Sequence, residues 1–234
     1  MPQLVDGLIA KLDKQPIPYA EIDAGEHGQF FVMRAGSSTD QSKRDSSDLA
    51  WISVNDEATF ETYRQIFDDL GVAKEVAPFV DSDHCVRLYS CFYVVRSRCS
   101  SPNLHTDWPN AVGTNAFTLL TPIEDYSTEE FQLLYEDSHG QVKQYRYRAG
   151  EAIAFASEFV HSTEPGESAP DANGRPHVFL CFTFGSDKEC HWPVIAPTIN
   201  GYQSRFLHRY DGVSELTEIG RYLNAAEQEL PSLA

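Results

Sequence analysis

The sequence predicts a mainly β fold, an antiparallel sandwich or barrel flanked by helices. Between residues 85 and 185 the chain consists of short runs rich in β-branched and aromatic residues, the composition typical of strands. Turn-forming residues separate these runs, as in DSHG (137–140). No long helical segment lies between the runs, so the alternation of strand and helix that a parallel sheet requires is missing.

Three segments outside this region have apolar residues at helical spacing. One lies near the N-terminus, from Leu4 to Leu12. A stronger one covers 55–70, where Asn55 or Asp56 can cap the helix start and Gly71 can end it. The third covers 213–230.

A chain of 234 residues with 41% hydrophobic content can bury one substantial core, so we predict a single domain over 1–234. Within it we expect an N-terminal region of helices and loop (1–84) that packs on a β core (85–185). The loop, at 34–48, is polar and aperiodic, and is a candidate lid. A C-terminal extension with a helix (186–234) would serve either a homodimer contact or the chain's own sheet.

The charge balance argues against several classes of partner. The 35 acidic and 18 basic residues give a formal net charge of −17, which repels phosphate backbones and anionic membrane surfaces. We therefore expect neither nucleic acid nor a membrane as a partner. The sequence shows no signal-peptide pattern, which predicts a cytoplasmic protein. Five cysteines without a CxxC pair suggest neither a disulfide framework nor a thiolate zinc site.

The stretch NLHTDWPN (103–110) contains a His-x-Asp pair, His105 and Asp107. Side chains of a strand alternate with period two, so residues two positions apart point to the same face and can reach one metal ion. His161 offers a third ligand, 56 residues after His105 and at the exit of another predicted strand.

Two histidines and one carboxylate are the donor set of the facial triad of non-haem Fe(II) oxygenases. Three protein ligands on one face leave the opposite positions open to a chelating co-substrate and dioxygen together. We therefore predict that His105, Asp107 and His161 hold a ferrous ion and form the catalytic centre.

Residues 85–185 resemble the double-stranded β-helix (jelly-roll, cupin-like) core of the Fe(II)/2-oxoglutarate-dependent dioxygenases. The pattern of that family is His-x-Asp, a distal histidine some fifty or more residues later, and a basic residue ten to fifteen positions beyond. Arg175 stands 14 positions after His161. The resemblance implies that Arg175 pairs its planar fork with the distal carboxylate of 2-oxoglutarate. The implied cofactors are Fe(II), 2-oxoglutarate as co-substrate, and O2.

Four more residues are candidates for contact with 2-oxoglutarate. His177 stands where many relatives carry a serine, two positions after the arginine. Other relatives place a tyrosine on the strand before the His-x-Asp pair, and Tyr93 is the candidate for that role. Asn115 and Thr118 lie early on the next predicted strand.

The predicted strand at 85–97 has two faces, and the sequence leaves open which one points inward. One carries Tyr89 and Tyr93, and the other leads to Arg96 and Arg98. Inward-facing arginines, together with His177, would meet a substrate that carries a carboxylate. The candidate substrate contacts are Trp108, Phe155, Arg96 and Arg98.

The resemblance implies hydroxylation of an unactivated C–H bond, with release of succinate and CO2. Halogenating relatives carry a small residue where this chain has Asp107, so oxygen transfer is favoured, with desaturation and cyclisation left open. The expected substrate is a small molecule such as an amino acid or natural-product intermediate. The alternatives are a protein side-chain hydroxylase, a cupin-like metalloenzyme that does not use 2-oxoglutarate, and a non-catalytic β-barrel binding module.

Overall fold

The computed structural model describes residues 2–14, 19–34, 47–126, 130–167, 176–199 and 204–229. The α-helices in these ranges are α1 (Pro2–Leu12), α2 (Glu57–Asp69), α3 (Val72–Val76), α4 (Trp192–Ile199) and α5 (Glu218–Glu229). Short 3-10 helices lie at Gly25–His27, Ala77–Phe79, Asn110–Val112 and Glu189–His191. The strands are β1 (Tyr19–Asp23), β2 (Gln29–Arg34), β3 (Ser47–Val54), β4 (Val86–Cys99), β5 (Ala116–Pro122), β6 (Leu133–Glu136), β7 (Val142–Tyr145), β8 (Ile153–Phe155), β9 (His161–Thr163), β10 (Gly166–Glu167), β11 (His177–Ser186), β12 (Phe206–His208) and β13 (Ser214–Leu216).

The main sheet has eight strands in the order β1-β2-β3-β4-β11-β5-β8, with β10 paired to the end of β4. A second sheet has the order β7-β6-β9, and β12 and β13 form a hairpin. The pairings are antiparallel throughout. The Tyr147 ring, just beyond the second sheet, packs on Phe179 of β11 with ring centroids 4.5 Å apart. The predicted mainly β fold with flanking helices is confirmed, and its two sheets agree with a jelly-roll core.

Helix α2 covers one face of the main sheet. The Asp56 carboxylate caps its start and accepts hydrogen bonds from the backbone N–H of Ala58 and of Thr59, both at 2.9 Å. Gly71 follows the helix in the left-handed conformation, with φ of 69°. On the buried side, the Phe67 ring lies 5.6 Å from that of Phe182 in β11. The sequence-based prediction of this helix and of both its ends is confirmed.

The N-terminal region contributes more than helices and a loop. Strands β1, β2 and β3 extend the main sheet, and β3 pairs directly with β4. The sequence signal was weak here because β2 is an apolar run, QFFVMR, whose four central residues are buried on both faces. The candidate lid lies mostly outside the described residues, apart from its ends in β2 and β3.

The C-terminal extension packs on the chain itself. Leu223 and Ile219 of α5 lie against Phe31 and Met33 of β2, so this helix covers its own sheet. A second cluster, which we call the C-terminal core, joins the extension to the region after the His-x-Asp pair. It comprises Tyr89, Trp108, Val112, Ala116, Ile195, Ile199 and Leu207. Within the described ranges, every helix falls short of the length and apolar character that crossing a membrane demands.

Candidate metal centre

His105 and His161 are brought together by the backbone. They form an isolated antiparallel bridge in which each N–H donates to the other carbonyl, at 2.9 and 2.8 Å. Paired residues of this kind place their side chains on the same face, and the two imidazole centroids lie 4.7 Å apart. The chain therefore juxtaposes two histidines that lie 56 residues apart in sequence.

Asp107 completes the group. Its Oδ1 lies 3.6 Å from Nε2 of His105 and 3.6 Å from Nε2 of His161. All three ligand atoms lie within 4.8 Å of one another, and in the described part of the chain this is the single such group of three. Ligands held about 2.0–2.2 Å from one ion stand about 3 Å apart in adjacent positions, so small side-chain adjustments would seat an ion.

The two imidazoles are oriented by their other nitrogens. Nδ1–H of His105 donates to the Asn103 carbonyl at 2.7 Å, and Nδ1–H of His161 donates to the Phe159 carbonyl at 3.0 Å. A carbonyl can only accept, so Nδ1 carries the proton and the Nε2 lone pair is left to face Asp107. Hydrogen bonds of this kind fix the tautomer and the ring orientation of a metal-binding histidine.

The local electrostatics favour the metal-binding protonation state of Asp107 and of His161, and oppose that of His105. Burial alone would raise the pKa of Asp107, but the nearby His105 and His161 imidazoles and the Thr118 side chain together lower it. Burial lowers the pKa of His161. The pKa of His105 is raised, chiefly by the Asp107 carboxylate, whose Oδ1 lies 3.6 Å from Nε2 of His105. Near neutral pH, Asp107 is therefore ionised and His161 neutral, while a proton competes with metal at His105.

The site is closed on one side and open on the other. The His161 side chain is only 7% exposed and packs against the rings of Phe155 (4.6 Å) and Phe159 (5.6 Å). The His105 side chain is 49% exposed. A small molecule would therefore approach the metal from the His105 side. With two neutral imidazoles and one carboxylate, the donor set fits an iron-type divalent metal ion.

The pairing of β4, β11 and β5 shows which face of β4 points to this site. The Ser90 and Thr183 hydroxyls share a hydrogen bond of 2.6 Å, and Thr183 is directly opposite Thr118. The Thr118 side chain in turn helps to lower the pKa of Asp107, which places it on the side of the sheet that faces the metal centre. Arg96 is opposite His177 in the same register. This inner face therefore carries Thr118, Thr183, His177 and Arg96.

Tyr93 lies on the opposite face of the main sheet. Its hydroxyl shares a hydrogen bond of 2.6 Å with the hydroxyl of Tyr63 in α2, and both side chains are buried. The suggestion that Tyr93 contacts the co-substrate is therefore corrected, because the sheet itself separates this side chain from the metal centre.

Arg96 and Arg98 do not share a face, although simple alternation would place them together. Leu49 of β3 is opposite Arg96, whereas the preceding residue, Asp48, is opposite Arg98, so β4 has a bulge at Ser97. The extra residue reverses the alternation. Arg96 is half-buried on the inner face, and Arg98 is exposed on the other side. A substrate contact from Arg98 is therefore corrected.

Two further candidates have structural partners away from a substrate pocket. Trp108 is 1% exposed and belongs to the C-terminal core, so it does not line the pocket. The Asn115 side-chain oxygen accepts a hydrogen bond from the Asp81 N–H at 3.1 Å, which ties together two loops at the start of β5. Phe155 lies beside His161, with ring centroids 4.6 Å apart, and its contact with a substrate stays a prediction.

His177 is on the inner face but is enclosed by aromatic rings. Its imidazole stacks on Tyr126 at 4.0 Å and meets Phe131 at 4.6 Å. Burial lowers the pKa of His177 to about 4, so the ring is neutral at physiological pH. Arg175, the predicted anchor of the co-substrate, lies outside the described residues.

Tyr147 lies on the inner face of the main sheet, and the sequence did not single it out. Its ring packs on Phe179, which points to the inner face of β11. Burial raises the pKa of its hydroxyl, which remains a neutral hydrogen-bond donor. The only signal was the alternation of Tyr145 and Tyr147 in KQYRYR, which does not distinguish a pocket from a solvent-facing hairpin.

No family model and no curated protein matches the chain. Among solved structures it is similar to a 2OG-Fe(II) oxygenase family oxidoreductase from Burkholderia pseudomallei, with 13% identity, coverage of 77% of this chain and 76% of that chain, and a TM-score of 0.44. A prolyl-4-hydroxylase from Pseudomonas putida has 17% identity, coverage of 80% and 88%, and a TM-score of 0.45. AviO1 from Streptomyces viridochromogenes Tue57 has 14% identity, coverage of 78% and 81%, and a TM-score of 0.46. All three TM-scores lie below 0.5.

Proposed function

We propose that the protein is an Fe(II)/2-oxoglutarate-dependent oxygenase that hydroxylates a small molecule. The observation that carries this proposal is the convergence of His105, Asp107 and His161, with Oδ1 of Asp107 3.6 Å from both Nε2 atoms. Bound iron would supply the oxidising chemistry, in which dioxygen is consumed and 2-oxoglutarate is converted to succinate and CO2. The triad would hold the iron from one side and leave the remaining coordination positions to small molecules.

The surrounding residues suit a site that must restrict access of water. Phe155, Phe159 and Tyr135 form a continuous aromatic stack beside His161, with successive centroids 4.8 and 5.5 Å apart. This stack shields the buried side of the triad, so that reactants enter past the exposed His105. A confined reaction space limits side reactions of a strong oxidant with water or with the protein.

For the co-substrate, we retain Arg175 as the proposed partner of the distal carboxylate of 2-oxoglutarate. The Arg175→Ala variant should raise the KM for 2-oxoglutarate with a smaller effect on metal binding. An unchanged KM would move the anchor to another residue.

For the substrate, Arg96 supports a molecule that carries a carboxylate, such as an amino acid. It is half-buried on the inner face, and burial lowers its pKa because a desolvated guanidinium loses hydration. The positive charge of Arg96 lowers the pKa of His105 and that of Tyr147, which shows that it lies close to both. Other effects are larger, so both pKa values are raised overall. Arg96 and the neutral Tyr147 hydroxyl could together donate hydrogen bonds to a carboxylate near the open side of the triad.

The test begins without oxygen, by adding Fe(II) and 2-oxoglutarate to the apo protein and recording the visible charge-transfer band of the chelate. We expect the band in the wild type and in His139→Ala, which removes an exposed histidine of a turn. Asp107→Ala and His161→Ala should lack it. Succinate release with oxygen should follow the same pattern.

Iron binding without the band and without succinate would contradict the use of 2-oxoglutarate. That outcome would favour the cupin-like alternative, a metalloenzyme acting directly on its substrate. Absence of iron binding would contradict the metal centre itself.

A further inference from the structure

We propose that Ser162 is a positioning residue, whose buried hydroxyl fixes the tautomer of the metal ligand His105 through the backbone of Asn103. We call this set of hydrogen bonds the Ser162 link. The inference rests on the metal centre of the proposed function, and it gives Ser162 a role that acts through another residue instead of a contact with the metal.

The link begins where an antiparallel ladder of hydrogen bonds stops. His105 and His161 exchange both backbone hydrogen bonds, at 2.9 and 2.8 Å. In an antiparallel pair such positions recur at every second residue, so a continued ladder would let the Asn103 N–H donate to the Thr163 carbonyl. The Asn103 N–H instead donates to Oγ of Ser162 at 2.7 Å, and the Ser162 hydroxyl donates to the Thr163 carbonyl at 3.1 Å. One hydroxyl therefore stands between a backbone donor and the carbonyl that the ladder would give it.

This insertion leaves the Asn103 carbonyl available to His105. Nδ1–H of His105 donates to it at 2.7 Å. In a continued ladder, the same carbonyl would face the Thr163 backbone N–H. Asn103 is thus held on both sides, through its N–H by Ser162 and through its carbonyl by His105. The orientation of the His105 ring therefore depends on where the hydroxyl holds Asn103.

The link joins an exposed segment to a buried strand. Asn103 and His105 are exposed, and residues 100–104 form neither helix nor strand. Ser162 is 3% exposed and lies in β9, in the second sheet. The other histidine of the triad, His161, belongs to β9 itself. The Ser162 hydroxyl therefore gives the more exposed ligand a fixed connection to the strand that carries the buried one.

The tautomer of His105 decides whether this residue can bind a metal. A neutral imidazole has one N–H donor and one free lone pair. Two acceptors compete for the proton, the Asn103 carbonyl at Nδ1 and Oδ1 of Asp107, 3.6 Å from Nε2. Hydrogen bonds to an ionised carboxylate are the stronger kind. A loosely held Asn103 would therefore let the proton move to Nε2, where it occupies the lone pair that the metal needs.

The test is nitrogen NMR of the imidazoles in the apo protein at about pH 9, where histidine is neutral. In the wild type, His105 and His161 should both carry the proton at Nδ1. In Ser162→Ala, the Asn103 N–H can donate directly to the Thr163 carbonyl, which turns the Asn103 carbonyl away from the imidazole. We expect His105 to shift to the Nε2–H form and His161 to keep Nδ1–H.

Equilibrium binding of Co(II) to the apo protein, followed by calorimetry, gives a second readout. Ser162→Ala should weaken binding about tenfold, at the lower end of the effect of residues that orient metal ligands. Its thermal unfolding midpoint should stay close to that of the wild type, because a direct backbone hydrogen bond replaces the lost one. Ser162→Thr keeps the hydroxyl and should restore both the tautomer and the affinity.

The matched control is Ser53→Ala. Ser53 is also a buried serine of a strand, and its hydroxyl donates to the Phe31 carbonyl at 3.3 Å. It lies in β3 of the main sheet, whereas Ser162 lies in the second sheet next to His161. This variant should lose one buried hydrogen bond and keep the wild-type tautomers and Co(II) affinity.

A His105 proton that stays at Nδ1 in Ser162→Ala would overturn the Ser162 link and leave the metal centre in place. A shifted tautomer with unchanged Co(II) affinity, an equal loss of affinity in Ser53→Ala, or a folded Ser162→Thr protein that behaves as Ser162→Ala does would also overturn it. A wild-type protein that does not bind Co(II) would overturn the metal centre and the link together. The expected variant pattern without succinate release would support the link and contradict only the use of 2-oxoglutarate.

Discussion

Binding of a divalent metal to the triad is expected to weaken about tenfold for each unit that the pH falls below the pKa of His105. Metal binding requires both Nε2 atoms to be free of protons and the carboxyl to be ionised. The pKa of His105 is raised, chiefly by the nearby Asp107 carboxylate. The pKa of His161 is lowered by burial, and that of Asp107 is lowered against its own burial by its partners.

These three pKa shifts determine how many protons the metal must displace when it binds. Between the pKa of His161 and that of His105, only His105 carries a proton that the metal must remove. One displaced proton changes the binding constant by a factor of ten per pH unit, which is about 1.36 kcal/mol. Above the pKa of His105, the metal affinity should no longer depend on the protonation of His105.

The assay is Co(II) titration of the apo protein at half-unit steps from about pH 5.5 to 8.5, a window around the ordinary pKa of histidine. In parallel, NMR titration of the imidazole resonances should place His105 above its usual pKa and His161 below it. In Asp107→Asn, the pKa of His105 should fall, because the carboxylate that favours its proton is gone. A hundredfold change per pH unit, or a His161 pKa above that of His105, would refute this reasoning.

Further expectations concern the fold and the inner face. Tyr63→Phe should lower the free energy of unfolding by about 0.5–1.5 kcal/mol in urea denaturation, through loss of its hydrogen bond with Tyr93, and should leave Co(II) binding unchanged. Asp56→Ala should cost about 1 kcal/mol in the same assay, because the α2 cap is lost; an unchanged midpoint would show that the cap contributes nothing. In a panel of amino acids screened by succinate release, Arg96→Ala should lose the response to its best substrate and Arg98→Ala should keep it. Equal losses would contradict the opposite orientation of these two side chains.

Local patterns were sufficient for several features of this molecule. The Asp56 cap and Gly71 predicted both ends of α2, because caps depend on a few adjacent residues. The His-x-Asp spacing predicted that His105 and Asp107 can reach one ion, although the reason differs from strand alternation: His105 lies in an isolated bridge and Asp107 in the bend that follows. Their convergence with His161 depends on a backbone bridge between residues that are 56 positions apart in sequence. No local pattern predicts such a bridge, and the expectation came from the resemblance to a family with the same order of ligands.

Other features depend on contacts that no short segment reveals. The bulge at Ser97 separates Arg96 from Arg98, and it is visible only in the pairing of β4 with β3. The burial of Trp108 follows from its packing with Ile195 and Leu207, almost a hundred residues later in the chain. Strand β2 has apolar residues on both faces, so it lacks the alternation by which a half-buried strand is predicted.

Two imidazoles and one carboxylate are expected to hold a single metal ion. The most direct measurement is an anomalous difference map, at the metal absorption edge, from crystals grown anaerobically with Fe(II). One peak is expected per chain, about 2.0–2.2 Å from Nε2 of His105, Nε2 of His161 and a carboxylate oxygen of Asp107. A peak at other residues, or no peak in crystals that contain excess Fe(II), would contradict this expectation.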